Sequence, residues 1–240
     1  MAGHSKWSKI KRDKGANDAK RGKLFTQLGN QIAIAAKAGG DPGFNPSLAL
    51  AIEKAKSANM PNANIEKSIK RGTGELGGDI IEELRFEGYG PSGVGIIVET
   101  ATDNRNRTTT FIKTAFSKNG GNMAEAGAVA FQFTRKGVII VKPKSSDPDE
   151  DLLEILDAGA ADASFEDGEA TVYTDMKELA NVRDKLKELG FEVIEADLQY
   201  VPNTLVDVSG QEAVDKVMKL MDAVEEVDEV VNTYTNFNPL

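Results

Sequence analysis

Cysteine is absent from this 240-residue chain, and histidine and tryptophan occur once each, as His4 and Trp7. Without cysteine there is no disulfide framework, thiolate zinc site or thiol nucleophile, and a lone histidine leaves no His pair to hold a metal. Most hydrolytic and redox constellations are thereby excluded, and neither a cofactor nor a metal is expected. Long apolar runs are also missing. The short ones are broken by glycine or charge, so no signal peptide or membrane span is expected, and the reading is a cytosolic protein.

What is present is charge, unevenly placed. The chain carries 29 Lys and Arg against 38 Asp and Glu, a net charge of −9. Residues 1–145 hold 23 basic and 13 acidic side chains, whereas 146–240 hold 6 and 25, so the sequence is a charge dipole. At 40% hydrophobic and 28% charged, the composition is that of an ordinary globular protein with a sizeable core.

The apolar spacing divides the chain. Up to about Lys23 the only large apolar side chains are Trp7 and Ile10, which describes an arm with little core of its own. Leu24, Phe25, Leu28, Ile32 and Ala36 then predict a helix over about 20–38, stopped by Gly39-Gly40. Asn45-Pro46 is a cap and first-turn pair for a second helix with Leu48, Ile52 and Ala55 on one face, and Ile65 and Ile69 mark a third. Residues 1–75 thus read as a small basic helical domain.

Beyond Gly72–Gly78 the period becomes alternating, and the predicted order is β-β-α-β-β followed by alternating helices and strands. Val129, Phe131 and Phe133 alternate as a strand should, and Asp147-Pro148 opens a helix. These modules read as two-layer α+β units with helices on one sheet face.

Gly88-Tyr-Gly90-Pro-Ser-Gly93 matches a dinucleotide fingerprint literally, but Val94 to Val98 continues as a strand rather than a helix, so the string reads as a hairpin turn. The carboxylates Asp222, Glu225, Glu226, Asp228 and Glu229 alternate with valines and read as a solvated face.

The arm is different. Lys6, Lys9, Lys11, Arg12, Lys14, Lys20, Arg21 and Lys23 face only Asp13 and Asp18. Such density repels itself unless a polyanion is near, and phosphodiester backbones provide one. His4 and Trp7 lie among these cations, and an exposed indole can stack on a base. The competing reading is a solubilising end with Trp7 folded back on the helices. Arg105 and Arg107, in Thr102-Asp-Asn-Arg-Asn-Arg-Thr108, sit between a predicted strand and helix. There they would suit bidentate phosphate recognition, or equally would pair with carboxylates of the acidic half.

Ala2-Gly-His-Ser-Lys-Trp7, Lys20-Arg-Gly-Lys-Leu-Phe25, Asn59-Met-Pro61 with Ile65 and Ile69, Glu87-Gly-Tyr-Gly-Pro91 and Thr102 to Thr108, in this order, resemble the YebC family, which is related to the mitochondrial translational activator of cytochrome c oxidase. The resemblance covers essentially the whole chain. It implies an α+β multidomain fold: a basic N-terminal three-helix domain (1–76), an α+β domain (77–132 plus 203–240) and a second two-layer α+β domain inserted in it (133–202).

Family members are described as DNA-binding regulators of transcription, others as ribosome-associated translation factors that bind ribosomal RNA and assist elongation. The resemblance therefore implies a non-enzymatic regulator of gene expression whose partner is nucleic acid, with the ribosome as the alternative setting. Neither a membrane nor a small-molecule substrate is implied. The positions carried over are the arm and the Arg105/Arg107 loop. Departures occur at Ser47 and Ala49, where many members place arginine, and at Asp13, where a basic residue is usual.

If the arm neutralises about four to six phosphates, affinity for duplex DNA or structured RNA should fall with salt on a log–log slope of roughly −3 to −5. A salt titration that came out flat would remove the electrostatic reading.

Overall fold

The computed structural model describes residues 18–77, 81–166 and 168–240. Three helices come first: α1 (Asp18–Ala36), α2 (Pro46–Ser57) and α3 (Asn62–Thr73). On α1, Leu28, Ile32 and Ala36 recur every fourth residue, so they share one face, which meets Leu48 and Ala55 of α2 and Ile65 of α3 in a buried core. Each fully buried Leu or Ile there contributes on the order of 2 kcal/mol relative to exposure.

Asn45 caps α2 as its position predicts. Its side chain accepts the Leu48 N–H at 3.1 Å, and its amide donates to the Ala35 and Gly39 carbonyls at 2.8 Å each, so one residue closes two helix ends. Helices α1 and α3 cross closely at Gly72, where a Cβ would lie 2.2 Å from the Ala33 carbonyl oxygen.

Strands β1 (Glu82–Tyr89) and β2 (Gly95–Thr102) form an antiparallel hairpin paired from Glu82↔Thr102 to Tyr89↔Gly95. The glycine string at 88–93 closes it through a single tight turn, as read from the sequence. Helix α4 (Arg105–Lys118) and the short β3 (Asn122–Ala124) follow. After the inserted module come β8 (Val206–Val208), α7 (Gln211–Glu225), β9 (Val230–Thr235) and β10 (Phe237–Pro239). The main sheet has the order β3-β1-β2-β9, and β8 and β10 pair separately in parallel.

One face of the main sheet is covered by α4 and α7: Ile96 and Val98 meet Ile112, Phe116, Val217, Leu220 and Val224. The intervening residues point the other way. There Ala101 and Val231 pack with Ile81 and with Ala33 of α1. Beside them the buried Glu99 carboxylate accepts from the Asn232 amide and the Tyr234 hydroxyl, each at 3.0 Å, and Gln31 of α1 donates to the Asn232 oxygen at 3.0 Å. The helical domain is therefore fastened to the sheet by a small apolar contact and a satisfied polar chain.

The chain forms two compact units, the second being Thr134–Val201. That unit contains most of β4 (Phe133–Lys142), then α5 (Pro148–Asp157), β5 (Asp162–Glu166), β6 (Glu169–Thr174), α6 (Leu179–Glu188) and most of β7 (Glu192–Pro202). Its sheet order is β5-β6-β4-β7. Ile139, Val172, Ile155, Val182 and Leu186 are buried in it. Asp147 caps α5, accepting the Asp149 N–H at 3.0 Å. The architecture is thus α+β: a three-helix domain followed by two α+β domains, one interrupting the other.

Three short strands, β3, β5 and β10, lie outside the expected set, and one expected strand is absent. Residues Ala130–Gln132 form a tight turn in which Phe131 is 72% exposed, and β4 begins only at Phe133. The cause is Glu87, buried on β1. Its carboxylate accepts the N–H groups of Gly127 at 2.9 Å and of Val129 and Ala130 at 2.8 Å each, so those groups are not offered to a neighbouring strand. Burial by itself would raise the Glu87 pKa, but the three N–H donors together with Arg85, 3.4 Å away, outweigh it and hold the carboxyl below its ordinary value.

A depressed value in the folded state means that this carboxylate stabilises the fold above the ordinary glutamate range and that the contribution is lost as pH falls through the folded value. Glu87→Gln places an NH₂ against at least one of the three donors and should cost about 1–3 kcal/mol in urea denaturation at pH 7. The difference from the unaltered chain should shrink in acid, and the amides of Gly127, Val129 and Ala130 should lose protection from hydrogen exchange.

Candidate nucleic-acid interface

The arm residues His4, Lys6, Trp7, Lys9, Lys11, Arg12 and Lys14 lie outside the described residues. Lys20 and Arg21 fall on the first turns of α1. Lys23, one turn on, has its ammonium 3.2 Å from Glu226 and its side chain only 20% exposed, so part of its charge is already matched within the protein.

Arg105 and Arg107 open α4 rather than a loop. Asn104 caps that helix by accepting the Arg107 N–H at 3.0 Å. Arg105 is exposed in the first turn. The Arg107 guanidinium donates to Glu229 at 3.0 Å and to Asp103 at 2.8 Å while its side chain stays 44% exposed. Glu229 first, then Asp103, raise its pKa above the ordinary arginine value. Of the two alternatives for this pair, Arg107 follows the second, engaging a carboxylate of the acidic half, whereas Arg105 extends into solvent.

The tertiary structure also brings up a side chain outside the positions singled out in the sequence. Arg71, near the end of α3, donates to the Asn30 side-chain oxygen of α1, and Asn30 in turn reaches the Asp228 carbonyl at 3.4 Å. Partial burial lowers the Arg71 pKa, and the charge of Asp103 opposes that change. Asp103 therefore acts on both Arg71 and Arg107, placing the C-terminal end of α3 beside the N-terminal end of α4. Lys67 and Lys70 are exposed on the same α3. No sequence motif signals this junction, because Arg71 stands more than thirty residues before Asp103.

Among the described residues no group of three or more His, Asp or Glu side chains is placed to hold a metal ion, and no helix is long and apolar enough to cross a membrane. The site offers guanidinium and ammonium groups, amides and hydroxyls, groups that can hold an anion.

A three-helix domain leading into an α+β domain that is interrupted by another defines the class of protein. The chain belongs to the TACO1/YebC family: residues 5–75 match the family's N-terminal domain and residues 81–237 its second and third domains. It is 51% identical to a "Probable transcriptional regulatory protein" of Halothermothrix orenii, over 99% of this chain and 95% of that one. It is 50% identical to a protein of the same description from Dictyoglomus turgidum, over 99% and 96%. The crystal structure of a conserved hypothetical protein from Aquifex aeolicus superposes with a TM-score of 0.86 at 42% identity, covering 93% of this chain and 92% of that one.

Glu229→Gln removes one of the two carboxylates on Arg107. Binding to a DNA duplex at low salt should tighten by roughly two- to fivefold, the size of one exposed ion pair, and the gain should fade at high salt. Fluorescence anisotropy titration reads both.

Proposed function

We propose that this protein is a nucleic-acid-binding regulator of gene expression, acting as a DNA-binding regulator of transcription in the cytoplasm, with the helical domain and its basic N-terminal segment supplying affinity. The observation that carries the reading is the segregation of charge: eight cations against two carboxylates within residues 1–24, on a chain of net charge −9. The relatives described as probable transcriptional regulatory proteins support the setting.

Base-edge readers are sparse on the exposed turns of α2 and α3, which present Lys54, Lys56, Lys67, Lys70 and Arg71. Recognition would then run mainly through backbone and shape. In this scheme Arg105 touches phosphate directly, and Arg107 contributes only as far as a phosphate competes with Glu229 and Asp103. The reading requires no catalytic step.

Replacing Lys9, Lys11, Arg12 and Lys14 together by Ala should weaken binding to all sequences by a similar factor. Thermal stability should change little, because this run has too few apolar side chains to carry a core. Unchanged binding would move the interface elsewhere. Crosslinking in cells and sequencing of the recovered DNA and RNA decides the setting: promoter fragments support transcription, and ribosomal RNA would assign the same cations to translation.

A further inference from the structure

Helix α4 breaks three local preferences at once. Residues 105–118 carry four cations, Arg105, Arg107, Lys113 and Lys118, and no carboxylate, in a domain (81–133 and 202–240) that holds seven cations against fourteen carboxylates. Two of those cations stand in the first turn, at the positive end of the helix dipole, where anions are favoured. No acidic residue is placed to pair along the helix with Lys113 or Lys118, and neither has an ion-pair partner among the described residues.

The outward turns are also filled with poor helix formers. Thr109, Thr110 and Thr114 each return their hydroxyl to the carbonyl four residues back, at 2.7, 2.9 and 2.7 Å. The inward face alone is conventional, with Thr108, Ile112 and Phe116 buried. A surface so poorly suited to helix stability is the kind of local conflict expected where a ligand sets the residue choice.

Phe111 completes the pattern. It is 46% exposed on the solvent side, one turn beyond Arg107 and two turns before Lys118, so a flat apolar ring lies between cationic groups. The helix extends about 20 Å, enough to follow several nucleotides. Resting on the nucleic-acid reading above, the geometry points to the outer face of α4 as a second contact surface, for a single-stranded stretch of nucleic acid. Lys118, on the same side of the helix as Phe111, and Lys113, at the opposite edge of the exposed arc, hold its phosphates, and Phe111 stacks on an unpaired base. A duplex offers the same phosphates but no free base face, which is why the exposed ring selects the single strand.

The test uses the full chain and two labelled oligonucleotides of one sequence, a single strand of about fifteen nucleotides and its hairpin duplex. Lys113→Glu with Lys118→Glu should weaken single-strand binding by roughly tenfold or more and flatten the log–log salt slope by about 1.4. Phe111→Ala should weaken single-strand binding by about fivefold and duplex binding by less than about twofold. Circular dichroism confirms folding, and Lys113→Gln with Lys118→Gln replaces the charge reversal if that variant does not fold.

Native-like single-strand binding by both the lysine and Phe111 variants, with loss in the four-residue arm variant, overturns the α4 assignment and leaves the arm reading standing. Loss in the α4 variants with a native-like arm variant does the reverse. Equal loss on both oligonucleotides in Phe111→Ala overturns the stacking role, and a native chain that binds neither oligonucleotide overturns both readings.

Discussion

Strand β2 is buried at every one of its eight positions. A strand in that condition needs cover on both faces, and alternation divides its side chains between two different covers. Ile96 and Val98 face α4 and α7, while Ala101 faces α1. The helical domain is thus part of what keeps the central hairpin dry. Glu99 makes the dependence polar as well as apolar, since its buried carboxylate accepts from Asn232 and Tyr234, which β9 presents in register. The chain of contacts from Glu99 through Asn232 to Gln31 then ties α1 to the sheet by hydrogen bonds that an apolar contact alone would not orient.

Carboxylates do two opposite kinds of work in this molecule. Glu87 and Glu99 are interior acceptors that order backbone and side chains around themselves. Glu87 is the clearer case: three N–H donors converge on it, and the path of residues 127–130 follows from that convergence rather than from strand propensity. Near the surface, Glu226, Glu229 and Asp103 instead set how much of the cationic charge faces outward. They hold Lys23 and Arg107 in fixed positions and leave Arg105, Lys113 and Lys118 open.

The result is a protein whose net negative charge conceals two cation-rich segments of sequence, residues 1–24 and α4. The inserted module, residues 134–201, has 8 basic and 17 acidic side chains, a net charge equal to that of the whole chain. The remaining residues balance, so the excess of cations at the N-terminal end is offset within the other α+β domain, where α4 stands out for having no carboxylate at all. A total charge averages over these regions; a phosphodiester strand, screened within about 10 Å at ordinary salt, responds to the local surface.

Much of this architecture was legible in the order of residues. Asn45-Pro46 and Asp147-Pro148 start helices because a cap and a fixed φ act on the next turn, and the 88–93 glycine string turns a hairpin because the residues after it continue as a strand rather than a helix. The uneven distribution of charge was equally plain. Other features waited on the fold. Glu87 lies about forty residues from the amides it captures, Lys23 about two hundred from Glu226, and the charge of Asp103 acts on Arg71 as well as on Arg107 only once the chain has folded. Local signals work through backbone geometry over a turn or two, so they can be read from neighbours. Which cation meets which carboxylate, and which is left for a partner, depends on distances through space that only the packed chain creates.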